Sequence, residues 1–410
     1  MTKDTTLLTI ATALRSLGQA GILVVIAQLA TPEKVGAYSL SLAITAPIFV
    51  LLELGLRTVY LTHRHDHSFF EYLRVRLLAL IAATGLTVAI ALFFANSQVV
   101  LLLLVAILRC ADSLGELYTS PLQLARKYMP IVVNYAIAAI STVVVGIFMI
   151  KTTRSLEPMV LGMIAVSMCA TFAVRLKAKE VLTVIESDLD LNHMPLREIR
   201  RDILRAGLPT GISWSLLSLL STVPQYFLAA TYSQADVGHF AIILYAVVVA
   251  EIYMNALTQS WIPSAKKMLS SPRGFLTGVI WTIVRWTLVF IPVSAVGCLC
   301  AYFGLPLVFG SAFAIHWGEI IPLGACVIAL PIVFFSSMAL NVANKYRAGL
   351  VVSSATMLLT LIACALIIPV AAVPGALWVI FTSLLIRGLL SSVGLYIRRP
   401  SIRVTNHATS

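Results

Sequence analysis

Charged side chains stand inside stretches that are otherwise apolar, among them Arg15, Glu53, Arg57, Arg109, Asp112, Glu116, Glu251, Arg285 and Arg387. A charge at that depth is costly unless it pairs, faces water or reaches an interface. Glu53 and Arg57 are four residues apart, so a helix puts them on one face. Arg109, Asp112 and Glu116 fall at i, i+3 and i+7 and also share a face. Arg387 and Glu116 lie near span ends, where pairing between helices or snorkelling accounts for them. Arg15, Glu53, Arg57 and Arg285 are deeper or lie on a repeated face, which favours a water-filled lumen. Guanidinium groups stay charged and grip phosphate oxygens as a fork, so Arg15, Arg57 and Arg285 are the candidate contacts for an anionic substrate. Glu53, Glu251, Arg109 and Asp112 are then the candidates for charge pairing or for coupling to a cation.

The elements that carry these groups repeat. Thr31 to Tyr38 (Thr-Pro-Glu-Lys-Val-Gly-Ala-Tyr) aligns without a gap on Ser233 to Phe240 (Ser-Gln-Ala-Asp-Val-Gly-His-Phe). Thr31-Pro32 is a helix-start signal. At the same offset Asn255 falls on Glu53 and Gln259 on Arg57, with Glu251 one turn earlier. Asn255 and Gln259 are thus the polar repeat face of the second half. A repeat with a polar stripe in each copy suggests a transporter built from two related halves.

Composition bounds the class. The mean hydropathy is +0.96, with 60% of residues hydrophobic and 11% charged, against about 25% charged in a soluble domain. This is a polytopic membrane protein. Twelve spans of the required length are read at about 6–30, 36–61, 75–95, 99–120, 130–150, 158–174, 207–230, 238–262, 275–303, 318–343, 348–370 and 375–397. The first contains Arg15 and is too long for a cleavable signal, so it is read as a retained helix. With the N-terminus inside, inner segments hold 21 Lys and Arg and outer loops 3, which places both termini in the cytoplasm. The net charge of +12 therefore reflects topology, and nucleic acid is not an expected partner.

The expected architecture is all-α: about twelve transmembrane helices in two parallel-repeat bundles of six around a central cavity. The bundles are 1–174 and 207–397, joined by a cytoplasmic linker at 175–206, with a cytoplasmic tail at 398–410. Six spans per half is an even number, so the halves are related by an axis along the membrane normal. Prolines interrupt several spans (Pro47, Pro209, Pro224, Pro292, Pro322, Pro331), each freeing a backbone carbonyl. The six cysteines all lie in apolar segments and read as small core hydrophobes. His63-Arg64-His65-Asp66-His67 reads as a solvated positive loop, not a metal site. No phosphate-cradling loop or His-Glu-x-x-His motif is found. The chain is therefore not read as an enzyme, and no cofactor or metal is expected.

Val35-Gly36-x-Tyr38 after a short outer turn, then Glu53-Leu54-Gly55-Leu56-Arg57 at the inner end of the second span, resembles the polysaccharide-biosynthesis (O-antigen and exopolysaccharide) flippases. These belong to the multidrug/oligosaccharidyl-lipid/polysaccharide exporter superfamily. The resemblance implies flipping of an undecaprenyl-diphosphate-linked oligosaccharide from the inner to the outer leaflet of a bacterial inner membrane, by alternating access. Its diphosphate would meet the lumen arginines, its sugars a hydrated cavity, and its tail would stay in the bilayer, with the first and eighth spans bordering the gap. Membrane lipids are implied partners. A coupling cation, H+ or Na+, and a polysaccharide polymerase are candidate ones. The alternative is an ion-coupled exporter of organic cations from the same superfamily. Glu53 and Glu251 suit it, and the arginines weigh against it.

Overall fold

A computed structural model describes residues 3–62, 68–94, 98–187, 196–269, 272–343 and 345–397. The histidine-rich loop, the middle of the linker and the C-terminal tail lie outside the described residues. Twelve α-helices and one short 3-10 turn make up the described chain, with no strand among the described residues: α1 (Lys3–Leu29), α2 (Pro32–Glu53), α3 (Leu56–Thr62), α4 (Phe69–Phe94), α5 (Val99–Leu124), α6 (Met129–Thr153), α7 (Leu156–Ser187), α8 (Leu196–Thr231), α9 (Gln234–Met268), α10 (Pro272–Phe309), α11 (Trp317–Val342) and α12 (Tyr346–Ile397). It is an all-α membrane protein.

Among the described residues, ten stretches are long and apolar enough to span a bilayer. The second runs through α2 and α3 as one span, Pro32–Leu61. Helix α5 falls outside that set because it carries Arg109, Asp112 and Glu116 together, yet its 26 residues are long enough to cross. Helix α12 has 52 residues, about 78 Å at 1.5 Å per residue, against a hydrocarbon core of about 30 Å. It breaks at Ala372 (φ 47°, ψ −132°), between Pro369 and Pro374, and Thr360 and Ser383 hydroxyls meet across the fold at 2.7 Å. Counting α5, and both legs of α12, the twelve expected spans are all present. The linker expected over 175–206 is largely helical, because α7 runs to Ser187 and α8 starts at Leu196.

Helix contacts divide the chain into two units, 1–241 with 308–313, and 242–307 with 314–410. The expected division into two repeats of six is a proposal about symmetry and is distinct from this grouping. In the first unit α8 packs closely on α2. A Cβ at Gly207 would lie 2.6 Å from the Leu54 carbonyl oxygen, and one at Gly211 2.6 Å from that of Leu51. Only residues without a side chain allow the two backbones to approach this way. Pro47 has no N–H to give to the Ala43 carbonyl four residues earlier. The Tyr226 hydroxyl of α8 donates to that carbonyl instead, at 2.5 Å, and Ser215 donates to the Pro47 carbonyl at 2.9 Å. In the second unit Ser294 of α10 donates to the Gly324 carbonyl of α11, and Gly388 lets α12 lie on Ile332 and Val333 of α11.

The two repeat turns open their helices differently. Thr31 takes an extended N-cap conformation before Pro32 but makes no side-chain cap bond. Ser233 and Asp236 form a reciprocal cap: the Asp236 amide donates to Ser233 Oγ at 3.3 Å, and the Ser233 amide to Asp236 Oδ2 at 3.1 Å.

Candidate functional site: a two-arginine cluster on one carboxylate

The second span breaks at Leu54 (φ 55°) and Gly55 (φ 56°), both left-handed, and restarts as α3 with the Thr58 amide donating to the Gly55 carbonyl. Glycine accepts that conformation freely; leucine does so at a cost. The break strands the last carbonyls of α2. Arg76 of α4 supplies the donor: its Nη1 gives a hydrogen bond to the Glu53 carbonyl at 3.1 Å and stands 3.8 Å from the Glu53 carboxylate. Its side chain is 2% exposed, so this arginine is sealed in the protein rather than set in an inner loop with the basic residues counted for topology.

Beyond the break, α3 carries Arg57 to Glu116 of α5. Arg57 Nη1 donates to Glu116 Oε1 at 3.3 Å and Nη2 to Gln123 Oε1 at 2.9 Å. Arg15 of α1 donates to the other oxygen, Glu116 Oε2, at 3.0 Å, and its guanidinium carbon lies 5.8 Å from the centre of the Tyr135 ring of α6. One carboxylate thus holds two guanidinium groups, which leaves the trio with a net charge of +1. The side chains of Arg15, Arg57 and Glu116 keep 31%, 26% and 26% exposure, so the cluster is reachable. Each guanidinium has five N–H donors. Arg15 commits one to Glu116, and Arg57 commits two to Glu116 and Gln123. Donors remain for an incoming anion, in the planar fork that suits phosphate.

The structure therefore brings Arg15 and Arg57 together through Glu116, a residue that sequence reasoning left at a span end. The missed signal was the α5 stripe itself. Gln123 lies seven residues after Glu116, so Arg109, Glu116 and Gln123 repeat on one face. Asp112 accepts a hydrogen bond from Ser167 of α7 at 2.6 Å. Arg109 keeps a buried Nε without a hydrogen-bond partner. Glu53 is the partner of Arg76, not of Arg57. In the second unit Glu251 of α9 and Arg387 of α12 are half-buried, Arg285 is exposed on α10 and Asn255 is exposed on α9. Gln259 lies on α9, with its side chain outside the described ones.

Removing Arg76 should be costly because it leaves the Glu53 carbonyl and carboxylate without their donor. Arg76→Met should lower stability by about 3 kcal/mol, measured by thermal unfolding in detergent. Lys177→Met, which removes the exposed i,i+3 partner of an equally exposed Glu180, should cost less than about 1 kcal/mol.

No protein-family model matches the chain. The capsular polysaccharide biosynthesis protein CapF of Staphylococcus aureus is 25% identical over 269 residues, covering 65% of this chain and 66% of that protein. The chain thus spans just under two thirds of the length of the curated relative it matches. Among solved structures, an inward-facing multidrug resistance MATE family transporter of the MOP superfamily aligns over 99% of this chain and 100% of its own, with a TM-score of 0.65 at 13% identity. The lipid II flippase MurJ, in an inward closed conformation, aligns over 95% of this chain and 86% of its own, with a TM-score of 0.63 at 12% identity. These matches agree with the resemblance read from the Val-Gly-x-Tyr turn and the Gly-Leu-Arg stretch.

Proposed function

We infer that this chain, which carries the fold of the multidrug/oligosaccharidyl-lipid/polysaccharide exporter superfamily, flips a diphosphate-linked lipid oligosaccharide from the inner to the outer leaflet by alternating access. The observation that carries this reading is the pair of guanidinium groups on a single carboxylate, within membrane-spanning helices and partly open. A site with a surplus positive charge and unused fork donors attracts an anion and repels organic cations, which weighs against the multidrug alternative. The relative named for capsular polysaccharide biosynthesis and the neighbour named as a lipid II flippase support the same substrate class. Arg285 is proposed as a further anion contact, and Glu53, Glu251, Arg109 and Asp112 as groups that hold or couple charge. The excess of basic residues in alternate loops supports an inner-membrane protein with both termini in the cytoplasm. The proposed partners are the lipid-linked oligosaccharide, a driving cation and a polymerase acting on the delivered glycan.

The test is to delete the gene and ask in which leaflet the lipid-linked glycan accumulates, then to complement with variants. Inner-leaflet accumulation is expected. Arg57→Ala should lower glycan export at least tenfold. Arg57→Lys should recover only part of it, because a point charge cannot reach Glu116 and Gln123 together. Full export with both variants, or altered drug sensitivity with normal glycan, would remove the reading.

A further inference from the structure

Above the arginine cluster in the same unit lies a recess of about 870 Å³ between α2, α4, α5 and α8. Its wall is aliphatic: Ile44, Pro47 and Ile48 from α2, Ile90 from α4, Leu102 from α5 and Leu219 from α8. The two hydroxyls that line it are already spent. Ser41 donates to the Ala37 carbonyl at 2.9 Å, and Tyr226 to the Ala43 carbonyl orphaned by Pro47. Two amides, Gln98 and Gln234, border one end, where α5 and α9 begin. No charged side chain among the described residues lines the recess. A diphosphate therefore finds no cation there, whereas a hydrocarbon chain finds an aliphatic wall.

We propose that this recess receives the polyprenyl chain of the lipid whose diphosphate meets Arg15 and Arg57. The inference rests on the flippase reading and specifies where that substrate's tail goes. Helix α2 lines the recess and ends at the break beyond which α3 carries Arg57. Helix α5 belongs to both places: Glu116 lies fourteen residues beyond Leu102, a separation of about 21 Å at 1.5 Å per residue. A chain tethered at the arginines must run that far before it fills the recess. Half of the hydrocarbon core is about 15 Å, the depth one leaflet's acyl chains serve. A long polyprenyl chain has the reach and an ordinary phospholipid held by its headgroup does not. Transfer from lipid to the recess gains packing contacts rather than release from water. The selectivity is therefore for chain length and shape. The tail route differs from the gap expected between the first and eighth spans.

The test uses the full chain in nanodiscs and two probes, dimethylallyl diphosphate and undecaprenyl diphosphate. The parent should bind the long probe at least tenfold more tightly. Ala229→Phe and Ile44→Phe, which fill the recess from α8 and from α2, should each cut long-probe affinity at least fivefold and leave the short probe unchanged. Equal affinity of the parent for both probes, or equal losses for both probes in the variants, would overturn the tail site while leaving the diphosphate site standing. Failure of the parent to bind either probe would overturn the flippase reading itself. As a second measurement, a diazirine near the far end of the long probe should label α2 and α8. Label that excess phospholipid displaces, or that falls only on other helices, would overturn the proposal.

Discussion

Glu116→Gln should bind a prenyl diphosphate about tenfold more tightly than the parent and yet lose most of its export activity. In the parent the Glu116 carboxylate occupies both guanidinium groups, Arg15 at 3.0 Å and Arg57 at 3.3 Å, and so competes with any incoming phosphate. Unit charges about 4 Å apart interact by about 4 kcal/mol where the effective dielectric is near 20. These side chains are a quarter to a third exposed, so solvent screening reduces the gain. A net advantage of about 1.4 kcal/mol is tenfold in affinity. Tighter binding does not help a flippase, because the headgroup must also leave. Glu116 gives the arginines somewhere to return to. Calorimetry with the diphosphate probe and the leaflet assay together check both halves of the expectation. Unchanged affinity would mean that the arginines do not meet the phosphates. Glu116→Ala should in addition cost about 3 kcal/mol of stability, since it removes the acceptor as well as the counter-charge from two cations in a partly buried site.

Much of this arrangement was readable in advance, and the reasons are physical. Span positions follow from apolar length, and the bilayer enforces that rule strictly because backbone polar groups must be satisfied within each helix. The break at Ala372 falls in the gap read from span length between 370 and 375, and the structure supplies its cause in Pro369 and Pro374, which flank it. What could not be read was pairing. Arg57 and Glu53 share a helical face by spacing, yet the left-handed turn at Leu54 and Gly55 rotates α3 away. Glu53 goes to Arg76 and Arg57 to Glu116. Arg76, at the edge of the span read at 75–95, was counted with the basic residues of the inner segments; nothing in a one-dimensional pattern distinguishes an arginine that faces water from one that caps a broken helix.

Gly36→Ala should be among the most damaging single-methyl changes in the chain. A Cβ at Gly36 would stand 1.7 Å from the Gln234 carbonyl oxygen and 2.6 Å from its carbon, a clash with backbone that no rotamer change relieves. Gly238, the residue at the same place in the second copy of the repeat, faces back: its Cβ would lie 2.7 Å from the Pro32 carbonyl oxygen and 2.8 Å from the Gly36 amide nitrogen. The two turns that match in sequence thus lie against each other through the one residue type that permits it. To admit the methyl group, the start of α9 must move off the start of α2, which costs upward of about 4 kcal/mol, in the exceptional range for a point change. Gly238→Ala should cost less, about 2–3 kcal/mol, because its contacts are about an ångström longer. Gly85→Ala provides the control. It sits in the exposed middle of α4 with nothing within 4 Å of its Cβ, so the methyl group should be neutral or stabilise the helix by up to about 1 kcal/mol. Membrane-inserted yield and thermal unfolding in detergent rank the three. A Gly36→Ala protein as stable as Gly85→Ala would mean that the two repeat turns do not meet, and with that the reciprocal contact between the matched copies would be lost.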